Sequence, residues 1–248
     1  MSLMSLWGAP LAPHYMALIW SGLRCTLVLS IDAIALAMVL GLLLCVMRLA
    51  AQRWVRTLAV VWLSIFRNTP LLLQLLFWYY GVPGLLPDGL RLWLMTPSEW
   101  TLFGSVWDGP SWEFLSALIG LTLYTSAYLA EECRAGVAGV SAGQRRAAHA
   151  LGMSSAQTWV YVVLPQALRL VVSPLMGQFM NAIKNSSLAM AVGYTELSYV
   201  SDSINTETLK TFQVLSIVTL LYIATIAVVE LANAAVCVWW VPLNGQRR

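Results

Sequence analysis

Polar and charged side chains interrupt three of the most apolar stretches of the chain. In "FRNTPLLLQLLFWYY", Arg67 and Gln74 are seven residues apart, a spacing that places both side chains on one face of a helix. The other polar side chains of these stretches are Tyr128, Glu131, Glu132 and Arg134 in "YTSAYLAEECRAG", and Gln178, Asn181, Lys184, Asn185, Ser186 and Ser187 in "GQFMNAIKNSSLAM". A charge at the centre of a membrane helix costs about 2.5–3.5 kcal/mol, so such groups face protein or water rather than lipid.

These polar stripes fit two arrangements, a water-lined path for a solute or an interface between helices. Glu131 or Glu132 together with Arg134 fits an interfacial ion pair as well as it fits direct contact with a substrate. The residue types alone leave this choice open.

Composition places the chain in a membrane. Of its 248 residues, 59% are hydrophobic and 10% are charged, whereas a soluble domain averages about 25% charged residues. The mean hydropathy is +0.74. The net charge of +3 is too small to indicate a nucleic-acid partner, and the four cysteines lack the spacing of a metal site or a disulfide framework. No Lys or Arg precedes Arg24, so the first hydrophobic segment is expected to be retained rather than cleaved as a signal peptide.

Runs of about 20 apolar residues predict the membrane-spanning helices. The sequence contains five such runs, at about 17–47, 55–80, 112–131, 168–192 and 212–240. Pro70 predicts a bend in the second, because proline removes one backbone hydrogen bond. Small residues at Ala33, Ala37 and Gly41 predict close packing of the first. The expected fold is therefore all-α, a polytopic membrane protein with about five transmembrane helices.

The charges of the connecting segments predict the orientation of the chain. Segments 48–56, 134–169 and 244–248 contain arginines and no acidic residue. In segments 81–113 and 196–210, most of the charged residues are acidic. Because Lys and Arg in short loops stay in the cytoplasm, we expect the N-terminus outside and the C-terminus in the cytoplasm. The long outer loop also holds Trp93, Trp100, Trp107 and Trp112. These tryptophans fit either an aromatic belt at the membrane surface or a packed periplasmic hairpin.

A basic, alanine-rich loop at 138–165 separates the third and fourth spans. Its pattern predicts two short helices lying parallel to the membrane. The residues that carry this pattern are Ser141 and Gln144 for a first capping box, Gly152 for the turn, Ser154 and Gln157 for a second capping box, and Pro165 for a break before the fourth span. Small side chains at Ala147, Ala148 and Ala150 would allow the first helix to dock into a partner's groove. A basic segment resting on anionic lipid headgroups is the alternative.

The run 146–165, "RAAHALGMSSAQTWVYVVLP", resembles the EAA loop of ABC importer permeases. That motif reads Glu-Ala-Ala, three residues, Gly, nine residues, Ile, one residue, Leu-Pro. The matching residues are Ala147, Ala148, Gly152, Leu164 and Pro165, with Val162 in place of Ile. Arg146 stands where the motif has Glu, which predicts an acidic or neutral residue opposite it on an ATPase. "FRNTPLLLQLLFWYY", "TSAYLAEECRAGV", "VVLPQALR" and "KNSSLAMAVGYTEL" are similar to the polar amino acid subfamily, most of all to glutamate/aspartate importer permeases.

This resemblance implies a single permease domain over 1–248 with the ABC type I importer (MetI-like) fold, a core at about 19–240 and outer loops at about 81–112 and 196–210. It implies a multi-pass inner-membrane subunit that moves a polar amino acid, with glutamate or aspartate the first choice, into the cytoplasm by alternating access. Another polar amino acid or an opine is the alternative substrate.

The resemblance also implies the partners of the chain. They would be two copies of an ABC ATPase, a second permease subunit that is identical or different, a periplasmic solute-binding protein and membrane lipid. The sequence lacks the GxxxxGK[ST] phosphate loop, so ATP and Mg²⁺ would bind to the ATPase. The chain itself is expected to bind no cofactor and no metal, and to be a transport subunit rather than an enzyme.

Two sets of residues take their expected roles from the resemblance. The coupling set, which would contact the ATPase, is Gln144, Arg145, Arg146, Ala147, Ala148, Ala150, Leu151, Gly152, Leu164 and Pro165. The substrate-path set is Arg67, Thr69, Tyr128, Glu131, Lys184, Asn185, Ser186 and Ser187. An amino acid zwitterion needs hydrogen-bond acceptors for its ammonium group and donors for its carboxylate, which the second set provides. For an acidic substrate, Lys184 or Arg67 would add a cation.

Three other classes of protein explain the sequence less well. An ion-coupled secondary transporter usually contains internal repeats, and no duplication is visible. A channel subunit needs a filter-like element, and no re-entrant loop is evident. An intramembrane enzyme needs a nucleophile with a base, and both histidines, His14 and His149, lie outside the predicted spans.

Overall fold

The computed structural model describes residues 11–96, 99–102 and 105–240. The helices are α1 (Pro13–Leu49), α2 (Arg53–Asn68), α3 (Leu71–Leu76), α4 (Val82–Leu85), α5 (Asp88–Met95), α6 (Trp112–Gly139), α7 (Ala142–Ala150), α8 (Ser155–Thr158), α9 (Leu164–Asn185), α10 (Leu197–Thr208) and α11 (Thr211–Trp240). The π-helical turns Phe77–Gly81 and Trp159–Val163 join α3 to α4 and α8 to α9, and a 3-10 helix, Ser186–Val192, follows α9. Two short antiparallel strands are β1 (Glu99–Leu102) and β2 (Ser105–Asp108).

These helices confirm an all-α membrane fold with about five spans. Among the described residues, four helical runs are long and apolar enough to cross a membrane: Pro13–Leu49, Trp112–Gly139, Ser155–Val192 and Thr211–Val238. The pair formed by α2 and the segment Leu71–Leu85 passes the same test when it is taken together, and it counts as a fifth span if it crosses the membrane as one unit. The first span begins earlier than predicted, so that His14 lies inside it, and the third extends beyond residue 131 to Gly139.

A bend of 102° between α2 and α3 divides the second span into two helices. The predicted bend at Pro70 is confirmed, but one helix over 55–80 is wrong. Proline lacks the N–H that would continue the helix and disfavours helical geometry in the residue before it. The Gln74 side-chain nitrogen donates to the carbonyl of Thr69 at 3.0 Å, which satisfies one acceptor at the break.

The predicted break at Pro165, before the fourth span, is wrong. The helical run Ser155–Val192 passes through it. The reason is the π-helical turn before α9, in which the Leu164 N–H bonds to the carbonyl of Trp159, five residues back. This wider turn accommodates the proline ring, which would clash with the preceding turn of a regular α-helix.

The tryptophans of the outer loop have different environments. Trp100 and Trp107 are backbone partners in the β1–β2 hairpin, so a hairpin does form in this loop. Trp112 is 7% exposed, and its indole N–H donates to the carbonyl of Tyr79 at 3.1 Å. Trp112 therefore packs inside protein, whereas Trp93 on α5 is exposed.

One compact unit is built from the described residues of 1–35, 69–124 and 182–225. Its buried side chains form two clusters. The first contains Leu29, Ala33, Leu71, Leu75, Ala117, Leu121, Ala189 and Val192, and the second contains Ile19, Leu197, Val200, Ile204, Val214 and Val218. The apolar core of this unit is thus assembled from segments that are distant in sequence.

Glu196 is fully buried in this unit and caps the N-terminus of α10. Its carboxylate accepts hydrogen bonds from the backbone N–H groups of Ser198 and Tyr199, each at 2.8 Å. The hydroxyls of Tyr222 and Thr26 donate to it at 3.0 Å and 3.3 Å. One carboxylate therefore joins α1, α10 and α11. Burial raises the pKa of Glu196, and these hydrogen bonds oppose the rise.

Replacing Glu196 with glutamine is expected to make the stability of the protein less dependent on pH. An acid whose pKa is raised on folding stabilises most below its unfolded pKa, about 4.3, and loses that contribution as the pH rises through its folded pKa. The melting temperature of the wild type should therefore fall relative to that of Glu196→Gln as the pH rises from about 4.3 towards neutrality. A constant difference between the two proteins over this window would contradict the prediction.

The other compact unit is built from the described residues of 36–68, 125–181 and 226–248. Its core contains Leu44, Ala59, Leu63, Ala127 and Ala130. At Gly41, a Cβ atom would lie 2.9 Å from the Cβ of Leu129 and 3.1 Å from the carbonyl oxygen of Ser126, so only glycine allows α1 to approach α6 this closely. Ala33 and Ala37 are fully buried. The predicted close packing of the small residues on α1 is confirmed.

Candidate functional site

The loop between the third and fourth spans folds as two short capped helices. Ser141 caps α7, but its hydroxyl accepts from the N–H of Gly143 at 3.2 Å, so the predicted capping box with Gln144 is wrong. Gly152 has a φ of +81°, as the predicted turn requires. Ser154 and Gln157 form the second capping box, with hydrogen bonds of 3.3 Å and 2.8 Å. The prediction of a compact helical loop is confirmed.

The structure separates the predicted coupling residues into an exposed group and an inward-facing group. Ala148 is buried, and the Arg145 guanidinium donates to the carbonyl of Val137 at 2.9 Å, which holds α7 against the end of α6. The exposed residues of the set are Gln144, Arg146, Ala147, Ala150, Leu151, Gly152, Leu164 and Pro165. Leu151 is 83% exposed.

Glu131 lies between two guanidinium groups. Its Oε1 accepts from Nε of Arg134 at 3.0 Å, and its Oε2 lies 3.5 Å from Nη2 of Arg48. Glu132 has a different environment, since it accepts a hydrogen bond from the Gln178 amide at 3.2 Å. The structure thus forms the ion pair that the sequence left open, and it places this pair on Glu131.

Arg67 and Tyr128 lie beside this ion pair. The Arg67 Cζ is 5.3 Å from the ring centroid of Tyr128, and the Tyr128 hydroxyl donates to the Arg67 carbonyl at 3.4 Å. A cavity of about 150 Å³ adjoins them, lined by Arg48, Val60, Leu63, Ser64, Arg67, Asn68 and Glu131. Three members of the predicted path, Arg67, Tyr128 and Glu131, therefore form one cluster.

The remaining path residues belong to the compact unit that contains Glu196. Lys184 is exposed near the end of α9, where the helix tightens into the 3-10 helix. The hydroxyls of Ser186 and Ser187 donate to the carbonyls of Ile183 and Lys184 at 2.8 Å and 2.7 Å. These bonds use the serine protons within the helix, and Ser186 is buried as well. Lys184 is the exposed member of this group, and Asn185, Ser187 and Thr69 are half-buried. Thr69 stands at the break between α2 and α3.

Sequence reasoning missed two residues that organise these clusters. Arg48 counted only as a basic loop residue, although it lies in the last turn of α1 and reaches Glu131. Glu196 counted only as an acid of an outer segment, although it is the most hydrogen-bonded carboxylate among the described residues. The position of Glu196 directly before the helix Leu197–Thr208 could have identified it as an N-cap residue. The described residues contain no group of three or more His, Cys, Asp or Glu side chains that could hold a metal ion.

Comparison with known proteins decides the family. A family model described as the binding-protein-dependent transport system inner membrane component matches residues 33–236. The chain belongs to this family. It is a permease subunit of an ABC amino acid importer, a multi-pass protein of the inner membrane, and members of its family work with ATPase and binding-protein partners.

Individual relatives of this permease carry amino acid names. The glutamate/aspartate import permease protein GltJ of Escherichia coli strain K12 is 31% identical over 222 residues, covering 90% of this chain and 87% of the relative. The probable glutamine ABC transporter permease protein GlnM of Bacillus subtilis strain 168 is 36% identical over 198 residues, covering 80% and 82%. An arginine transport system permease protein, ArgU of Corynebacterium glutamicum, is 35% identical over 170 residues, covering 68% and 51%.

Solved structures match the permease over almost its whole length. The crystal structure of an amino acid ABC transporter with histidines gives a TM-score of 0.77 at 26% identity, covering 96% of this chain and 98% of the other. An inward-facing MetNI methionine ABC transporter gives 0.68 at 18% identity, covering 93% and 100%, which shows the shared fold alone. The type I importer (MetI-like) fold expected from the sequence is confirmed.

Proposed function

We propose that this permease imports glutamate or aspartate into the cytoplasm, driven by ATP that a partner subunit hydrolyses. The observation that carries the ATP-driven part is the exposed face of α7, with Ala147, Ala150 and Leu151 outward on a loop braced by Arg145. Closure of the ATPase around ATP would move this helix and the spans attached to it between two arrangements. ATP and Mg²⁺ stay on the ATPase.

The choice of substrate is supported by the relative named for glutamate and aspartate import, which matches along 90% of this chain. Relatives named for glutamine and arginine make another polar amino acid the alternative. A periplasmic binding protein would deliver the substrate, and two ATPases and a second permease subunit would complete the importer. The acidic segments would face the periplasm and the basic loop the cytoplasm, which puts the N-terminus outside.

The experiment is uptake of labelled amino acids into proteoliposomes that contain the permease, its ATPase and its binding protein. Glutamate or aspartate should accumulate only when ATP is supplied on the side of the membrane that carries the ATPase. A variant ATPase that cannot hydrolyse ATP should abolish accumulation. Uptake driven by an ion gradient without ATP would identify a secondary transporter and overturn the proposal. ATP-driven uptake of a different amino acid would replace the substrate and retain the mechanism.

Lys184 is the cation that we propose to meet the side-chain carboxylate of an acidic substrate. It is exposed near the end of α9 beside Asn185, whereas Glu131 is already engaged by Arg48 and Arg134. Replacing Lys184 with methionine should lower ATP-driven uptake about tenfold, the usual scale of one charged hydrogen bond. Lys184→Arg should keep most of the uptake, and the ATPase should co-purify with both variants. Wild-type uptake by Lys184→Met would remove Lys184 from the path.

A further inference from the structure

The cavity between α1, α2 and α6 carries an excess of positive charge. Arg48 and Arg67 line it together with one acidic residue, Glu131, and with Ser64 and Asn68. The Glu131 carboxylate is shared, because Arg134 also binds it from outside the lining. The lining therefore has two guanidinium groups and one carboxylate, a surplus of one positive charge, and Arg134 adds a third guanidinium from outside it. Such a cavity favours an anion.

Hydrogen-bond donors remain available for that anion. The buried Nε of Arg48 has no hydrogen-bond partner among the described residues. Arg67, Ser64 and Asn68 are exposed at the cavity, and Arg67 is steadied by the ring of Tyr128 at 5.3 Å. A planar guanidinium can give two parallel hydrogen bonds to the oxygens of a phosphate. The lining therefore offers charge and donor geometry suited to a phosphate group.

The surroundings of the cavity indicate where the phosphate comes from. Arg48 lies in the last turn of α1, whose 37 residues extend about 56 Å, longer than the roughly 30 Å hydrocarbon core of a bilayer. A helix of this length extends beyond the hydrocarbon core, and the proposed orientation, in which the arginines of 48–56 face the cytoplasm, assigns this last turn to the cytoplasmic headgroups. Beside the cavity, α2 exposes apolar side chains, with Val61 50% and Ile65 55% exposed. These residues can contact acyl chains while the arginines hold a headgroup.

We propose that this cavity binds the phosphate group of an anionic phospholipid from the surrounding membrane. A basic pocket between transmembrane helices is a common way to hold such headgroups. The lipid would sit against α2 and add its charge to the cluster that already joins α1 to α6 through Arg48 and Glu131. Free inorganic phosphate shares the headgroup chemistry, but it would make no use of the apolar rim.

The test uses the complete complex of permease and ATPase, purified in detergent and stripped of lipid. Phosphatidylglycerol, phosphatidylcholine and inorganic phosphate are each added back, and bound lipid is counted by native mass spectrometry alongside the melting temperature. Phosphatidylglycerol should be retained and should raise the melting temperature, whereas phosphatidylcholine and phosphate should not. Arg67→Gln should weaken retention about tenfold, the scale of one charge-assisted hydrogen bond.

Arg56→Gln is the matched control, because Arg56 is exposed on the same helix and does not line the cavity. It should bind phosphatidylglycerol like the wild type. Asn68→Asp, which adds a negative charge at the cavity without removing an arginine, should weaken binding even if Arg67→Gln fails to assemble. Equal losses in Arg67→Gln and Arg56→Gln would overturn the proposal. So would stabilisation by inorganic phosphate equal to that by lipid, or displacement of the lipid by glutamate.

Discussion

Replacing Glu131 with glutamine is expected to lower ATP-driven uptake by about tenfold or more and to reduce the thermal stability of the permease. The substitution leaves Arg48 and Arg134 facing each other without the carboxylate that holds both. Removing one partner of a buried ion pair costs about 3–5 kcal/mol, and an exposed pair contributes about 1 kcal/mol or less. The Glu131 side chain is 24% exposed, so we expect a loss of about 2 kcal/mol. Melting temperature and uptake are measured in the same preparation.

Glu132→Gln is the matched control, since Glu132 is the next residue and accepts one hydrogen bond from the neutral amide of Gln178. A glutamine there keeps a carbonyl oxygen that can accept the same bond. Glu132→Gln should therefore retain most of the uptake and stability. If Glu131→Gln retains uptake and melting temperature as well as Glu132→Gln does, the ion pair of Glu131 with the two arginines contributes nothing measurable.

Replacing Leu151 with aspartate is expected to uncouple the permease from its ATPase. Leu151 is 83% exposed at the end of α7, and a charge at this point would have to be buried in the proposed ATPase groove without a partner. Co-purification of the ATPase and ATP-driven uptake should both fall about tenfold or more. The permease itself should fold normally, because the Leu151 side chain is mostly exposed and its replacement leaves the core unchanged.

Leu209→Asp supplies the comparison for this prediction. Leu209 is also 83% exposed at a helix end, and its φ of 55° lies in the left-handed region that aspartate tolerates better than leucine. By the proposed orientation Leu209 lies on the periplasmic side, so Leu209→Asp should keep its ATPase. Loss of the ATPase from both variants would contradict α7 as the specific docking helix.

The spans and the loop helices could be predicted because their signals are local. Apolar run length located four long spans and the bent pair of helices that counts as the fifth. The Ser154–Gln157 capping box and the positive φ of Gly152 follow from residue type and short spacing. Pro70 and Pro165 show the limit of local reasoning. Both prolines are expected to interrupt helices, yet one produces a 102° bend and the other sits in a continuous run, because a π-helical turn before it makes room.

The sites were harder to predict because their partners come from distant segments. Polar spacing identified Arg67, Glu131 and Gln178 as side chains that avoid lipid, but no local pattern shows that Arg48 reaches Glu131. The same holds for Glu196, whose partners Thr26 and Tyr222 belong to the first and last described helices. The predicted single domain over 1–248 and the roles of the path residues stay predictions.

The close approach at Gly41 has a consequence for sequence variation among relatives. Gly41 lies seven residues before Arg48 on α1, and Ser126 lies five residues before Glu131 on α6, so the contact fixes how far the arginine must reach. A larger residue at position 41 would push α1 from Leu129 and lengthen the distance from Arg48 to Glu131. We therefore expect positions 41 and 129 to change together in evolution, with bulk gained on one helix matched by bulk lost on the other.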